Sequence, residues 1–290
     1  MPTTVLISGL VLGGTYALIA MGLTLQYGIS RIMNLAYGET IILFAFGAFL
    51  LFSVVGINPL LGLIFILPVA FALGYGIYGI MMQPLVRRSV KTGNLEVDSI
   101  LATFGLLFVI QGVMLVFFGS NYTSYNYMNV GVNVLGTTIA ANRLLAFALA
   151  VLIGGALYLA LAHTRWGTRV RAVAVAPNSA PLVGIDVNKT ARFAFALGTM
   201  LAASGGVMIS MYQTFTASMG VVFTMKALVV VIMGGLGNLM GALVAGLLLG
   251  LVETFVATYI DPGLTLAATY LIFLSVLLWR PSGLFGKAAR

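Results

Sequence analysis

Apolar runs of about 20 residues, each long enough to carry a helix across a ~30 Å hydrocarbon layer, recur along the whole chain and leave little choice of fold. Inside a bilayer no water satisfies backbone N–H and C=O groups, so a run of this length must be helical. The runs lie at Val5–Tyr27, Leu35–Val55, Leu60–Met82, Val97–Phe118, Ala140–Ala162, Ala191–Tyr212 and Leu264–Trp279, with a broken region, Val221–Ile260, before the last. Hydrophobic residues make up 61% of the chain and charged residues 7%, far from the usual globular mix. The expected fold is all-α: a polytopic transmembrane helical bundle of about eight or nine membrane segments. It forms one domain over residues 1–290, with a discontinuity near residues 221–260.

The net charge of +8 reads as topology. Arg87, Arg88 and Lys91 fall in one connection, Arg165, Arg169, Arg171 and Lys189 in another, and Arg280, Lys287 and Arg290 in the tail. The alternate connections, Gly56–Pro59, Gly119–Thr138 and Gln213–Gly220, carry no charge. By the positive-inside rule the basic connections and the C-terminus are expected in the cytoplasm and the N-terminus outside. No nucleic-acid partner is expected. The opening MPTTV has no Lys or Arg, which predicts a retained first span instead of a cleaved signal peptide.

Most catalytic chemistry lacks its residues. There is no cysteine, so neither disulfides nor thiolate metal sites are expected, and the lone His163 sits at a loop edge. No G-x-S-x-G occurs. Gly131–Thr138 approaches a Walker A motif without the lysine, and Gly283–Lys287 has the lysine at the wrong spacing. Asn121-Tyr122-Thr123 matches a glycosylation acceptor only as weakly as any three-residue motif. No catalytic residue, no metal site and no cofactor are therefore expected on this chain.

What remains are polar groups inside the runs, each expensive to bury and so a candidate for the substrate pathway. They are Asn34 and Glu39 at the second run, Thr103 and Gln111 in the fourth, and Lys226 and Glu253 flanking the glycine cluster Gly234-Gly235-Leu236-Gly237-Asn238. The stretch Val221–Met233 is too short to cross, and the glycines interrupt any helix through it. Broken helices at membrane depth line cavities or lie buried in protein, and in transporters they often mark the substrate region. Structural readings stand beside these. Gly237-x-x-x-Gly241 and Gly246-x-x-x-Gly250 suit close helix packing, Glu253 could pair with Lys226 or a backbone amide, and Thr103 could bond its own preceding turn.

The other feature is the polar island His163–Thr190. Arg165–Ala176 suits a short helix, Pro177 ends it, and Pro181 and Gly184 turn the chain onward. Such a helix at the membrane face fits either a groove on a partner with acidic groups or a surface of anionic membrane lipid.

Several stretches in order resemble a known family: Asn34-x-Ala36-x-Gly38-Glu39, Leu101-Ala102-Thr103-x-Gly105, Arg171-Ala172-x-Ala174 leading to Gly184-Ile185, and Lys226-Ala227-Leu228 through Gly234–Asn238 to Gly241-Ala242 and Glu253. The chain resembles the integral-membrane permeases of branched-chain-amino-acid-type ABC importers, the hydrophobic amino acid uptake family. The resemblance implies a multi-pass subunit of a bacterial or archaeal cytoplasmic membrane. It implies a second homologous permease subunit, two cytoplasmic ATPase subunits that bind ATP and Mg, and an extracytoplasmic solute-binding protein. Residues 163–190 would be the coupling loop, with Arg169, Arg171, Ala172, Ala174, Pro177 and Gly184 meeting the ATPase. Ala176 and Pro181 depart from the family's usual pattern. On the residues alone, an ion-coupled secondary transporter or channel with Glu39, Lys226 and Glu253 as its relay remains the alternative.

Overall fold

Two long helices form the centre of the computed structural model, which describes residues 2–92, 95–134 and 136–286. Helix α1 (Pro2–Ser30) and helix α8 (Val187–Tyr212) are the most buried of the candidate spans. Around them pack α2 (Tyr37–Ser53), α3 (Pro59–Ile77), α5 (Leu95–Phe118), α6 (Ala141–His163), α9 (Gly220–Gly234), α10 (Leu239–Tyr259) and α11 (Thr265–Trp279). Among the described residues, seven helical segments are long and apolar enough to cross a membrane, and α2 and α9 are shorter apolar helices. An all-α polytopic bundle is thus observed, with the break at residues 235–238 where the glycines predicted it.

Local signals fix several helix starts. The side chains of Asn58, Thr164, Asp186 and Asn238 each accept a hydrogen bond from a backbone N–H in the first turn that follows, satisfying a donor that the helix cannot. On α10, Gly246 lies against Ala17 of α1 and Gly250 against Gly13, so closely that a Cβ at either would meet backbone. The small-residue spacing therefore serves helix packing.

Three expectations need correcting. The run Leu35–Val55 is not one full span: α2 begins only at Tyr37 and is 17 residues long, because residues 31–36 re-enter the bundle as non-helical backbone. Arg87 and Arg88 lie on a helix and not in a loop, since α3 continues through a π-turn at Tyr78–Met82 into α4 (Gln83–Thr92). The uncharged connection 119–138 contains an antiparallel hairpin, β1 (Gly131–Val134) with β2 (Thr137–Ala140), Val132 facing Ile139. Lys287 and Arg290 lie outside the described residues.

The bundle has two distinguishable ends. One, the hairpin end, holds β1 and β2, the start of α1 and the connections before α6 and α11. The other, the basic end, holds Arg31, α4, the short helix α7 (Arg165–Val175) and residues 280–286.

Candidate functional site

The two short helices meet head to head in the middle of the bundle. After Ser30, the chain turns at Arg31 (φ 53) and runs back inward to α2. After Tyr212, residues 213–219 re-enter from the hairpin end and lead to α9. The unit α1–connector–α2 and the unit α8–connector–α9 thus repeat one construction in opposite directions. Their N-termini are joined by Thr224, whose Oγ1 accepts from Gly38 N at 2.8 Å and donates to Leu35 O at 3.1 Å. Tyr37 anchors the same turn through its hydroxyl to Ile19 O at 2.7 Å, midway along α1.

Glu39 occupies this junction. It is 0% exposed, in the first turn of α2, with its carboxylate against Gly220 at the start of α9. Neither oxygen makes a hydrogen bond of normal geometry; the favourable interaction comes from the amide of Val221 in the first turn of α9. The N-terminal ends of two helices carry partial positive charge and therefore stabilise an anion placed between them.

The re-entrant backbone at 31–36 survives inside the bundle because side chains satisfy it. Ser99 Oγ accepts from Met33 N at 3.2 Å, and Thr103 Oγ1 accepts from Leu35 N at 3.1 Å and lies 3.0 Å from Met33 O. Thr103 also reaches Ser99 O at 2.7 Å, as its structural reading expected. Asn34 is buried, with Nδ2 donating to Gln26 Oε1 at 3.0 Å and Oδ1 unpartnered. Gln111 is half-buried on the same face of α5 as Thr103, Leu107 and Met114, and makes no hydrogen bond among the described residues.

Lys226 and Glu253 form a separate cluster. Lys226 Nζ is 2.6 Å from Glu253 Oε1 and donates to Tyr16 OH at 2.7 Å, while Glu253 Oε2 has no partner. The pairing of Glu253 with Lys226, one of the two readings open from sequence, is what the structure contains. No ion pair among the described residues joins Glu39 to this cluster.

At the basic end α7 buries Gly167, Val170 and Val173, and Trp166 packs edge-on to Phe193 of α8 at 5.3 Å. Its other face is open. Arg169 is exposed, Arg171 Nη2 reaches Ala162 O at 3.3 Å, and Ala172 and Ala174 are half-buried. Pro177 and Gly184 (φ 75) bound an exposed turn; Leu182 and Val183 within it, and Val175 at the end of α7, are all more than 70% exposed. Asp186 then caps α8; the Lys189 N–H at 3.0 Å is the main cause that holds its carboxyl below the usual carboxylate range. Between α7, the ends of α1 and α6, and residues 236–240 lies a cavity of about 900 Å³, lined by Arg31, Arg171, Ala174 and Asn238.

Sequence reasoning missed Tyr16, Tyr212 and above all Arg143, a charge at the hairpin end. Arg143 stands three residues into a run that reads as membrane, so a loop-by-loop charge count passes over it; its type alone was the available signal.

A family model described as branched-chain amino acid transport system / permease component matches residues 5–279. The chain is 27% identical to the high-affinity branched-chain amino acid transport system permease protein BraD of Pseudomonas aeruginosa, covering 97% of this chain and 95% of the relative. It is 28% identical to the corresponding permease LivH of Escherichia coli K12, with 97% and 94% covered. It is 29% identical to a probable LivH of Methanocaldococcus jannaschii, with 84% and 77% covered. No solved structure gives a significant match.

Proposed function

Because the chain belongs to the branched-chain amino acid transport system permease component family, we propose that it is the membrane-spanning subunit through which an ATP-driven importer passes branched-chain amino acids into the cell. The observation that carries this reading is the match over nearly the whole chain to permeases of that system. In this reading the subunit assembles with a second homologous permease, two cytoplasmic ATPases and an extracytoplasmic solute-binding protein. ATP and Mg belong to the ATPases, and this chain does no bond chemistry. The basic end faces the cytoplasm and the N-terminus lies outside, as the charge asymmetry favours.

The packing of α7 supports a coupling role. Its outer face offers Arg169, Arg171 and exposed apolar side chains to a docking partner, and its inner face packs on α6, α1 and α8. Helix α8 in turn packs on α2 and α3, so a displacement of α7 is passed to the junction at Glu39. Closure of the ATPases thereby reaches the paired half-helices, and the pathway opens to alternate sides. Asn34, Glu39, Thr103 and Gln111 shape that pathway from the middle of the bundle, and Lys226 and Glu253 from nearer the hairpin end. The solute-binding protein supplies most of the affinity.

The test is copurification of the ATPases with this chain, together with ATP-dependent leucine uptake by reconstituted vesicles. Ala174→Glu places bulk and negative charge beside Arg171 in the cavity between α7 and the bundle and should abolish uptake while insertion stays normal. If Ala174→Glu and Arg171→Ala both leave ATP-driven uptake intact, α7 is not the coupling element.

A further inference from the structure

Arg143 has no part in the coupling path. It sits in the first turn of α6, at an end of the bundle whose connections are otherwise nearly free of basic charge. It makes no hydrogen bond or ion pair among the described residues. It lines a cavity of about 260 Å³ bounded by α1, α6, the end of α8, α10 and the start of α11. Glu253 lines the same cavity from α10. Its Oε1 is held by Lys226, the Tyr16 hydroxyl lies against the same carboxylate, and Oε2 makes no hydrogen bond. Val11, Leu12 and Ala257 add apolar wall between these charged groups.

Each feature asks for a particular ligand group. A free guanidinium is a planar fork of donors that matches a carboxylate with two parallel hydrogen bonds. A carboxylate oxygen without a donor asks for one, and an ammonium satisfies it with charge assistance. Glu253 already balances Lys226, so an ammonium at Oε2 is balanced by the ligand's own carboxylate. Apolar wall beside both groups accepts an aliphatic side chain. The cavity shares three lining residues with a neighbouring one. Arg143, Tyr212 and Gln213 line a second cavity, of about 290 Å³, whose other walls include Ser124, Asn126 and Asn129 of the hairpin-end loop.

We propose that this cavity is a subsite for a free zwitterionic aliphatic amino acid, with Arg143 taking the α-carboxylate, Glu253 Oε2 the α-ammonium, and Val11, Leu12 and Ala257 facing the side chain. The proposal rests on reading the chain as an amino-acid permease. It adds that the permease itself holds the solute at the hairpin end, before the half-helix junction. A phosphatidylethanolamine headgroup carries the same pair of charges, so the test must separate the two sources.

The transporter, purified with its co-expressed subunits and without a binding protein, is placed in phosphatidylglycerol nanodiscs and titrated by saturation-transfer NMR. Three probes are used: L-leucine, isovalerate with only the carboxylate, and isopentylamine with only the ammonium. Leucine should bind, and each single-charge probe should bind at least tenfold more weakly. Arg143→Gln should weaken leucine at least tenfold and leave isopentylamine unchanged, and Arg143→Lys should fall between. Since Arg143 is exposed and unpartnered, neither variant disturbs folding. The subsite is overturned if leucine does not bind, if isovalerate or isopentylamine binds as well as leucine, or if Arg143→Gln binds all three probes as wild type does. It is equally overturned if phosphatidylethanolamine in the disc abolishes leucine binding, which assigns the cavity to lipid. ATP-driven uptake, measured separately, decides the importer reading: leucine binding without any such uptake upholds the subsite and sinks that reading alone.

Discussion

Neutralising Glu39 tests whether one carboxylate joins the two half-helices. Its side chain is fully buried, lies in the first turn of α2 and abuts Gly220 at the start of α9. Burial costs the carboxylate more solvation than the two helix N-termini return at about 1 kcal/mol each, so Glu39→Gln, of the same size but uncharged, should melt no lower than wild type. Glu39→Ala leaves both helix N-termini unfilled, at about 1 kcal/mol each, and loses a buried methylene of ~0.8 kcal/mol, about 3 kcal/mol in all. For a chain of this size these losses correspond to roughly 2–4 °C of melting temperature per kcal/mol. Intrinsic fluorescence reports unfolding through Trp166, which packs on Phe193 of α8. The alanine variant leaves two helix N-termini facing a vacated space that a small anion can enter. Sodium formate at ten times its dissociation constant should restore about 1.4 kcal/mol to that variant, and nothing to wild type or to Glu39→Gln. If formate has no effect on Glu39→Ala, the two helix N-termini do not form an anion site at the junction.

Three further outcomes are expected. Lys226→Met should destabilise by about 3 kcal/mol by stranding the Glu253 carboxylate, and Lys226→Met/Glu253→Leu should recover most of that; strictly additive losses in denaturation would contradict a coupled pair. Gly250→Ala should prevent α1 and α10 from closing and leave little folded protein in size-exclusion profiles, because its Cβ meets the Gly13 backbone, whereas Gly155→Ala, with nothing within 4 Å, should be neutral or stabilising by up to ~1 kcal/mol. Asp186→Ala should cost about 1 kcal/mol through the lost cap of α8. Because the folded Asp186 carboxyl ionises below its usual range, its contribution is present above the unfolded value and disappears as pH falls through the folded one; stability profiles of wild type and variant should converge at acid pH.

The helices were legible because burial in lipid demands long apolar runs, and the break because glycines cluster at residues 234–237. The re-entrant connector was not. Leu35 and Ala36 are as apolar as any helical residue, and the partners that let them leave the helix, Ser99, Thr103 and Thr224, lie far along the chain. Glu39, Lys226 and Glu253 announced themselves as charges in apolar runs, and the Lys226–Glu253 pairing was among the readings open. That Glu39 faces a second helix N-terminus needs the fold. Arg143 escaped because charge asymmetry averages over connections, and this arginine sits just inside a run. The hairpin was hidden by brevity, since two strands of four residues have too little alternation to stand out.

Residues 283–286 do more than end the described chain. Leu284 and Phe285 donate backbone hydrogen bonds to Met233 O and Gly234 O, at 2.8 and 3.2 Å, and Asn238 Nδ2 donates to Phe285 O at 2.9 Å. The carbonyls that α9 would leave bare at its last turn are thus bonded to the segment that follows α11. The break after α9 is for that reason a strapped joint and not a loose hinge. Any stroke of α9 must drag α11 with it or shed two backbone bonds. A rigid fusion placed close behind Phe285 would load that joint directly, so a reporter domain needs a slack leash there to leave the moving parts unhindered.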